Sequence, residues 1–195
     1  MQNRLTISTI CGGVAPAVIF CCILLAIASY DPFSWTNNAL SDLGVVPGFT
    51  MIIFNSGLII GGVLLTVFAL GLYTYMKNTL VGKIGSLLFV FATLSLICVG
   101  IFNEHFVPIH FIVSVSLFSF MALSFMVLSG AFWLTKQKHL TIFTLGLGIV
   151  MAIVWILEYT IRYVPHVAIP EFVTGFMGVC WVFVLVYKML KKTPK

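Results

Sequence analysis

The sequence predicts an all-α polytopic membrane protein, with six transmembrane helices in one bundle. Two observations carry this. Of 195 residues, 61% are hydrophobic and only 8% are charged, against about 25% charged in a soluble domain. The mean hydropathy is +1.17. A water-soluble core cannot hide that much apolar surface. The apolar residues are also gathered into six runs near the ~20 residues that a helix needs to cross a bilayer. Barrel strands would be shorter and would alternate in character, and these runs do not. A single domain, 1–195, is expected.

The first span is expected over about 9–29. Arg4 precedes it, and Ala26-Ile27-Ala28 resembles a signal-peptidase site. The segment is read as a retained span. Asp31 and Pro32 end it. A polar connector follows, with Trp35, Asn37, Asn38, Ser41 and Asp42. Ser41 or Asp42 is expected to cap a short interfacial helix. Pro47 and Gly48 break the chain before the second span, 49–76. Asn55 lies two turns inside that span. Gly57 and Gly61 form a Gly-x-x-x-Gly pair, which permits close helix approach.

Lys77, Asn78 and Lys83 mark the next turn, and span three covers 84–102. Asn103, Glu104, His105 and Pro108 lead into span four, 109–134. His110 opens that span. Its serines, including Ser114, Ser119, Ser124 and Ser129, read as helix-packing glue more readily than as a conduit. Lys136, Gln137, Lys138 and His139 form a turn before span five, 140–163. Pro165 and Pro170 bracket the last loop, and span six covers 171–190.

Six spans put both termini on one side. Arg4, Lys77, Lys83, Lys136, Lys138, Lys188, Lys191, Lys192 and Lys195 then fall on the terminal side, and only Arg162 falls opposite. Short Lys/Arg-rich loops stay in the cytoplasm. The expected localisation is therefore the plasma membrane, with cytoplasmic N and C termini. The acids segregate the other way. Asp31, Asp42, Glu104, Glu158 and Glu171 all fall on the outer side, with His105, His110 and His166. Acids contribute little to orientation, so topology alone does not explain this cluster.

Glu158-Tyr-Thr-Ile-Arg162 sits at a membrane boundary, where ionisable groups are costly without partners. The two charges are spaced i, i+4 on one helical face, with Glu158 about 7 Å below the helix end. Two readings stand. One is an ion pair that locks span five. The other is a head-group site in which Arg162 holds an anion and Glu158 orients it.

No metal site is predicted. His105 and His110 are five apart across a proline turn, which fits no standard ligand spacing. Cys11, Cys21, Cys22, Cys98 and Cys180 lie within apolar runs and read as small buried hydrophobes. Glu104, His110 and Asp42 are the catalytic candidates, as an acid/base set. No Gly-x-Ser-x-Gly or His-Glu-x-x-His motif is present. Tyr30, Trp35, Tyr159 and Tyr163 fit an interfacial aromatic belt. The terminal-side halves of the spans carry almost no ionisable residue, which favours a vestibule closed below over a pore.

Three stretches together resemble a known family. They are Asn38-Ala-Leu-Ser-Asp-Leu-Gly44 with Phe54-Asn55-Ser-Gly57, then Gly100-Ile-Phe-Asn-Glu104 with Pro108-Ile-His110, then Arg162 with its loop and Glu171. In that order the whole chain resembles the prokaryotic six-helix membrane family called domain of unknown function 998. It is more distantly similar to Frag1/DRAM/Sfk1-like membrane proteins, some of which are tied to lipid remodelling. The matching motif residues are Ser41, Asp42, Gly44, Asn55, Glu104, His110 and Arg162. The resemblance implies a six-helix fold and a site on the acidic side, and it supplies no reaction.

The expected ligand set is Arg162, Glu158, Asp42, Ser41, Asn55, Glu104, His110 and His166, around an outward-facing polar pocket for a lipid head group or small amphiphile. No cofactor is expected. Membrane lipids are the expected partners, with a membrane protein partner or homo-oligomer as a further possibility. Nucleic acid is not expected, because the bases are split among short loops. A non-catalytic subunit of a membrane complex is the alternative reading, favoured by the short loops, and a transporter is the second.

Overall fold

A computed structural model describes residues 2–192. It contains six long helices: α1 (Gln2–Ala28), α2 (Phe49–Tyr75), α3 (Leu80–Ile101), α4 (Val107–Leu134), α5 (Lys138–Ile161) and α6 (Ala168–Lys192). No strand occurs among the described residues. All six helices are long and apolar enough to cross a membrane. Lys195, expected in the basic tail, lies outside the described residues.

The expected spans recur, but their ends move. Helix α1 begins at Gln2 and α6 at Ala168. The backbone ladder runs on past the apolar stretch, because a helix end need not coincide with the hydrocarbon boundary. Each end has a local cause. Thr79 caps α3 by accepting from the Gly82 N–H at 3.1 Å. Pro108 sits in the first turn of α4, where its missing N–H costs nothing. Lys136 takes a left-handed φ of 59° after α4. Its N–H donates to Trp133 O and that of Gln137 to Phe132 O, both at 2.9 Å, a paired closure that satisfies the last carbonyls.

Neighbours in sequence are neighbours in space. Helix α1 packs on α2, α2 on α3, α3 on α4 and α4 on α5, while α6 returns to α1. Helices α5 and α6 touch only sparingly. The α1–α2 seam is close because of two glycines: a Cβ at Gly57 would collide with the Cys22 side chain, and one at Gly61 with Ile19. The Gly-x-x-x-Gly pair thus faces α1, as its spacing suggested.

Polar groups stitch the seams. Thr66 Oγ1 donates to Thr93 Oγ1 (3.0 Å) between α2 and α3. Ser124 Oγ donates to Gly85 O (2.8 Å) between α4 and α3, so this member of the serine row is interhelical glue. Trp181 Nε1 donates to Thr144 Oγ1 (3.0 Å) between α6 and α5.

The core has two parts. In the half nearer the termini, Phe68, Phe125, Phe132 and Trp181 are fully buried. Trp181 stacks on Phe125 at 4.4 Å and meets Phe89 edge-on at 5.2 Å. In the opposite half, Ile19, Ile23, Leu40, Leu43, Phe54, Leu58 and Val99 form a second cluster. Two of these, Leu40 and Leu43, come from the connector and not from a span.

Candidate functional site

The connector between α1 and α2 folds back over the acidic end of the bundle. Its apolar residues explain why: Leu40 and Leu43 are 5% and 0% exposed, and exposing them on a loop would forfeit that burial. Residues 41–45 form a 3-10 turn. Neither Ser41 nor Asp42 caps it as expected. Leu40 is its N-cap and makes no side-chain cap bond. Asp42 bonds backwards instead, accepting from Asn38 Nδ2 (2.7 Å) and from the Ala39 N–H (3.0 Å).

Three elements hold this lid: α6, the α3–α4 turn and α2. The Leu40 N–H donates to Glu171 Oε2 at 2.6 Å, in the first turn of α6. The Ala168 N–H donates to Asn38 O at 3.1 Å. Ser41 Oγ donates to Glu104 Oε1 at 2.7 Å, in the turn before α4. Gly44 O receives Asn55 Nδ2 from α2 (2.9 Å) and Asn103 Nδ2 from the α3–α4 turn (3.2 Å). Gly44 also approaches Asn55 so closely that a Cβ would lie 2.7 Å from Asn55 Oδ1. Trp35 adds an aromatic clasp, edge-on to Phe33 at 5.3 Å and to Phe172 at 5.1 Å. Asp42 and Glu104 lie close enough to interact, and Glu171 feels both.

His110 is 9% exposed at the start of α4. Its Nδ1 is 2.7 Å from Phe102 O. A carbonyl only accepts, so Nδ1 carries the proton. Nε2 then faces Glu104 Oε1 at 4.0 Å and Ser114 Oγ at 3.5 Å. The Ser41 hydroxyl meets the carboxylate and not the imidazole, and it is Ser114 that faces the ring, at 3.5 Å. A Ser-His-acid relay needs the imidazole between the serine and the acid, whereas Ser41 donates directly to the Glu104 carboxylate.

Below the lid lies a hollow between α1, α2, α3, α4 and α6, with about 130 Å³ of free space. Phe20, Leu58, Leu117, Phe172 and Val182 are among the side chains that line it. Ser41, Ser114 and Glu171 line it as well, and all three belong to the elements of the lidded end. Phe89 and Met121 reach it from the other half, where the Trp181 cluster closes the bundle. The expected polar pocket is therefore an apolar hollow with a polar rim.

Of the residues singled out from sequence, Ser41, Asp42, Asn55, Glu104 and His110 converge on the lid, and of these five Ser41 alone lines the hollow. Three others do not join them. His166 and Arg162 are exposed. Glu158 is buried at 4% exposure, and its Oε2 has no hydrogen-bond partner. No ion pair joins Glu158 to Arg162. The reason is local. Arg162 has φ 46° and is the left-handed C-cap of α5, its N–H closing on Glu158 O at 3.0 Å. The chain leaves the helix there, so the i, i+4 rule no longer places the two side chains together. Tyr163, just beyond the helix, feels Glu158: burial first, then that carboxylate, pushes its phenol above the ordinary range.

Sequence reasoning missed the apolar lining, including Phe20, Leu117 and Gly175. Such residues look like any other core in composition. The one available signal was the small pair Gly175 and Gly178 on α6, both of which border the hollow. No group of three or more His, Cys, Asp or Glu with metal-holding geometry occurs among the described residues.

The family described as "Protein of unknown function (DUF998)" matches residues 13–188. No curated protein and no solved structure matches. The more distant likeness to Frag1/DRAM/Sfk1 proteins finds no support in these comparisons.

Proposed function

The chain belongs to the DUF998 family, whose description assigns no function, and from that premise we propose that it is a lipid- or amphiphile-binding membrane protein. The aliphatic chain occupies the hollow under the lid, and the head group meets the rim. The observation that supports this is the pairing of an apolar hollow with a rim of Ser41, Ser114 and Glu171 at one end. A chain of CH₂ groups suits the lining; away from the rim its one hydroxyl, that of Thr93, is already bonded to Thr66 and to the Val90 carbonyl.

The rim carries acceptors and hydroxyls, with Glu104 and His110 one shell away. No Lys or Arg lines the hollow. A head group rich in hydroxyls, or one bearing an ammonium, fits such a rim better than a phosphate alone. Arg162, exposed at the end of α5, is left for the head-group layer of the bilayer. Glu104 and His110 are the residues placed to hold or move a proton at a head-group hydroxyl.

The proposed setting is the plasma membrane, with the lid outside and both termini in the cytoplasm. Nine of the ten basic residues at the terminal end support that orientation.

Gly175 provides the test. It lines the hollow, and a Cβ there meets only Phe20, at 3.8 Å. Gly175→Leu therefore fills space without a backbone clash and raises helix propensity. Native mass spectrometry of wild-type protein from mild detergent is expected to retain an amphiphile. The variant is expected to lose occupancy by about tenfold, equivalent to ~1.4 kcal/mol, with unchanged thermal stability. Equal retention by both proteins, or none by wild type, contradicts the proposal. A stoichiometric foreign protein in place of the amphiphile supports a complex-subunit role instead.

A further inference from the structure

A second hollow lies between α4 and α5, as a groove of about 480 Å³. Leu123, Trp155 and Ile156 are among its lining. Leu123 and Ile156 are 48% and 60% exposed, and both belong to membrane-spanning helices. Bilayer hydrocarbon is therefore what this groove meets. Phe118 is the one side chain that borders both this groove and the central hollow. Its ring lies 4.4 Å from that of Trp155, tilted by 33°. Trp155 in turn stacks on Tyr159 at 5.8 Å. The Trp155 Nε1 is buried without a hydrogen-bond partner, a donor that an ester or amide carbonyl would satisfy.

We propose that the α4–α5 groove is a lateral portal for a lipid alkyl chain, with Phe118 as its gate against Trp155. This deepens the amphiphile-binding reading and rests on it. The chain passes sideways from the outer half of the bilayer, and the head group slides along the rim.

Energetics favour this route over entry through the lid. Drawing a chain out of the bilayer through water costs about 0.8 kcal/mol per CH₂, so a ten-carbon chain faces roughly 8 kcal/mol. Opening the lid also breaks the bonds from Leu40 to Glu171 and from Ser41 to Glu104, and those to Gly44 O. Moving Phe118 requires a rotamer change of one ring at a surface where no polar group is stripped of its partner. The sparse contact of α5 with α6 leaves α5 room to yield.

The test uses the full chain in lipid nanodiscs and a monostearoylglycerol bearing a diazirine on its acyl chain. After the probe is added, samples are irradiated at successive times, and adducts at Gly178, Val179 and Val182, residues of the 175–182 segment that line the hollow, are counted, leaving out the lipid-exposed Phe176. Phe118→Ala is expected to speed their appearance several-fold. Phe118→Trp and Ile156→Trp, which narrow the gate and its mouth, are expected to slow it. For Ile156→Trp, which lies outside the central hollow, the final adduct level should stay near wild type. Ile156 is exposed, so that variant keeps its fold and the test survives a failure of Phe118→Ala. If labelling of these three residues reaches its plateau at the wild-type rate in all three variants, the portal is overturned while the central site stands. If they are never labelled in wild type, the amphiphile reading falls and the portal with it. Loss of groove access because a second protein copy or a foreign helix occupies it also overturns the proposal.

Discussion

Replacing Trp181 with alanine is expected to destabilise the folded bundle by about 3 kcal/mol. Trp181 is fully buried, stacked on Phe125 and edge-on to Phe89, with its N–H on Thr144. In a soluble protein a Trp→Ala change at such a place costs about 3–5 kcal/mol. Part of that cost is transfer from water, which is weaker here because unfolded helices remain in lipid or detergent. The void and the lost ring contacts remain, so the lower end of the range applies. The indole–hydroxyl bond adds only about 0.6 kcal/mol. The consequence extends to the site: Trp181 supports Phe89, which lines the hollow, so its loss deepens the floor. Unfolding of the variant in mixed micelles measures the first effect. A loss under about 1 kcal/mol would mean that this aromatic cluster is not the structural base of the bundle.

Gly61→Leu is expected to cost at least 1–3 kcal/mol, the usual range for overpacking. The added side chain meets Ile19, and the Ala15 carbonyl lies only 3.5 Å from where its Cβ would stand. Relief requires α1 to move off α2, and α1 also carries Phe20, Ile19 and Ile23 of the hollow's wall. The variant should lose stability and bound amphiphile together. Gly146→Ala is the control, because nothing lies within 4 Å of a Cβ there. It should be neutral or slightly stabilising, since alanine favours the helix. Equal unfolding midpoints for both variants would show that the α1–α2 seam tolerates separation.

How much of this was legible beforehand follows from where polar groups sit. Spans were legible because hydrocarbon tolerates only satisfied backbone, which forces long apolar helices. The convergence of Ser41, Asp42, Asn55, Glu104 and His110 was legible for the same reason, since a polar side chain in an apolar chain needs a partner. Their partners were not. Asn55 holds the Gly44 carbonyl, and Glu171 holds the Leu40 N–H, because the connector carries two leucines that seek burial and leave its backbone groups to be satisfied. Helical spacing misplaced Arg162, since the rule assumes that the helix continues and the left-handed φ ends it. The hollow itself left no trace in composition, because absent volume among Leu, Ile and Phe looks like a filled core.

The deciding experiment is photolabelling of wild-type protein in its own membrane with a diazirine-bearing alkyl lipid, followed by peptide mapping. Adducts are expected on residues inside the hollow, at Leu117 and Met121 of α4 and at Gly178, Val179 and Val182 of α6. Adducts confined to lipid-exposed positions such as Ile142, Ile149 and Tyr187, with none at those interior residues, would mean that no alkyl chain enters beneath the lid.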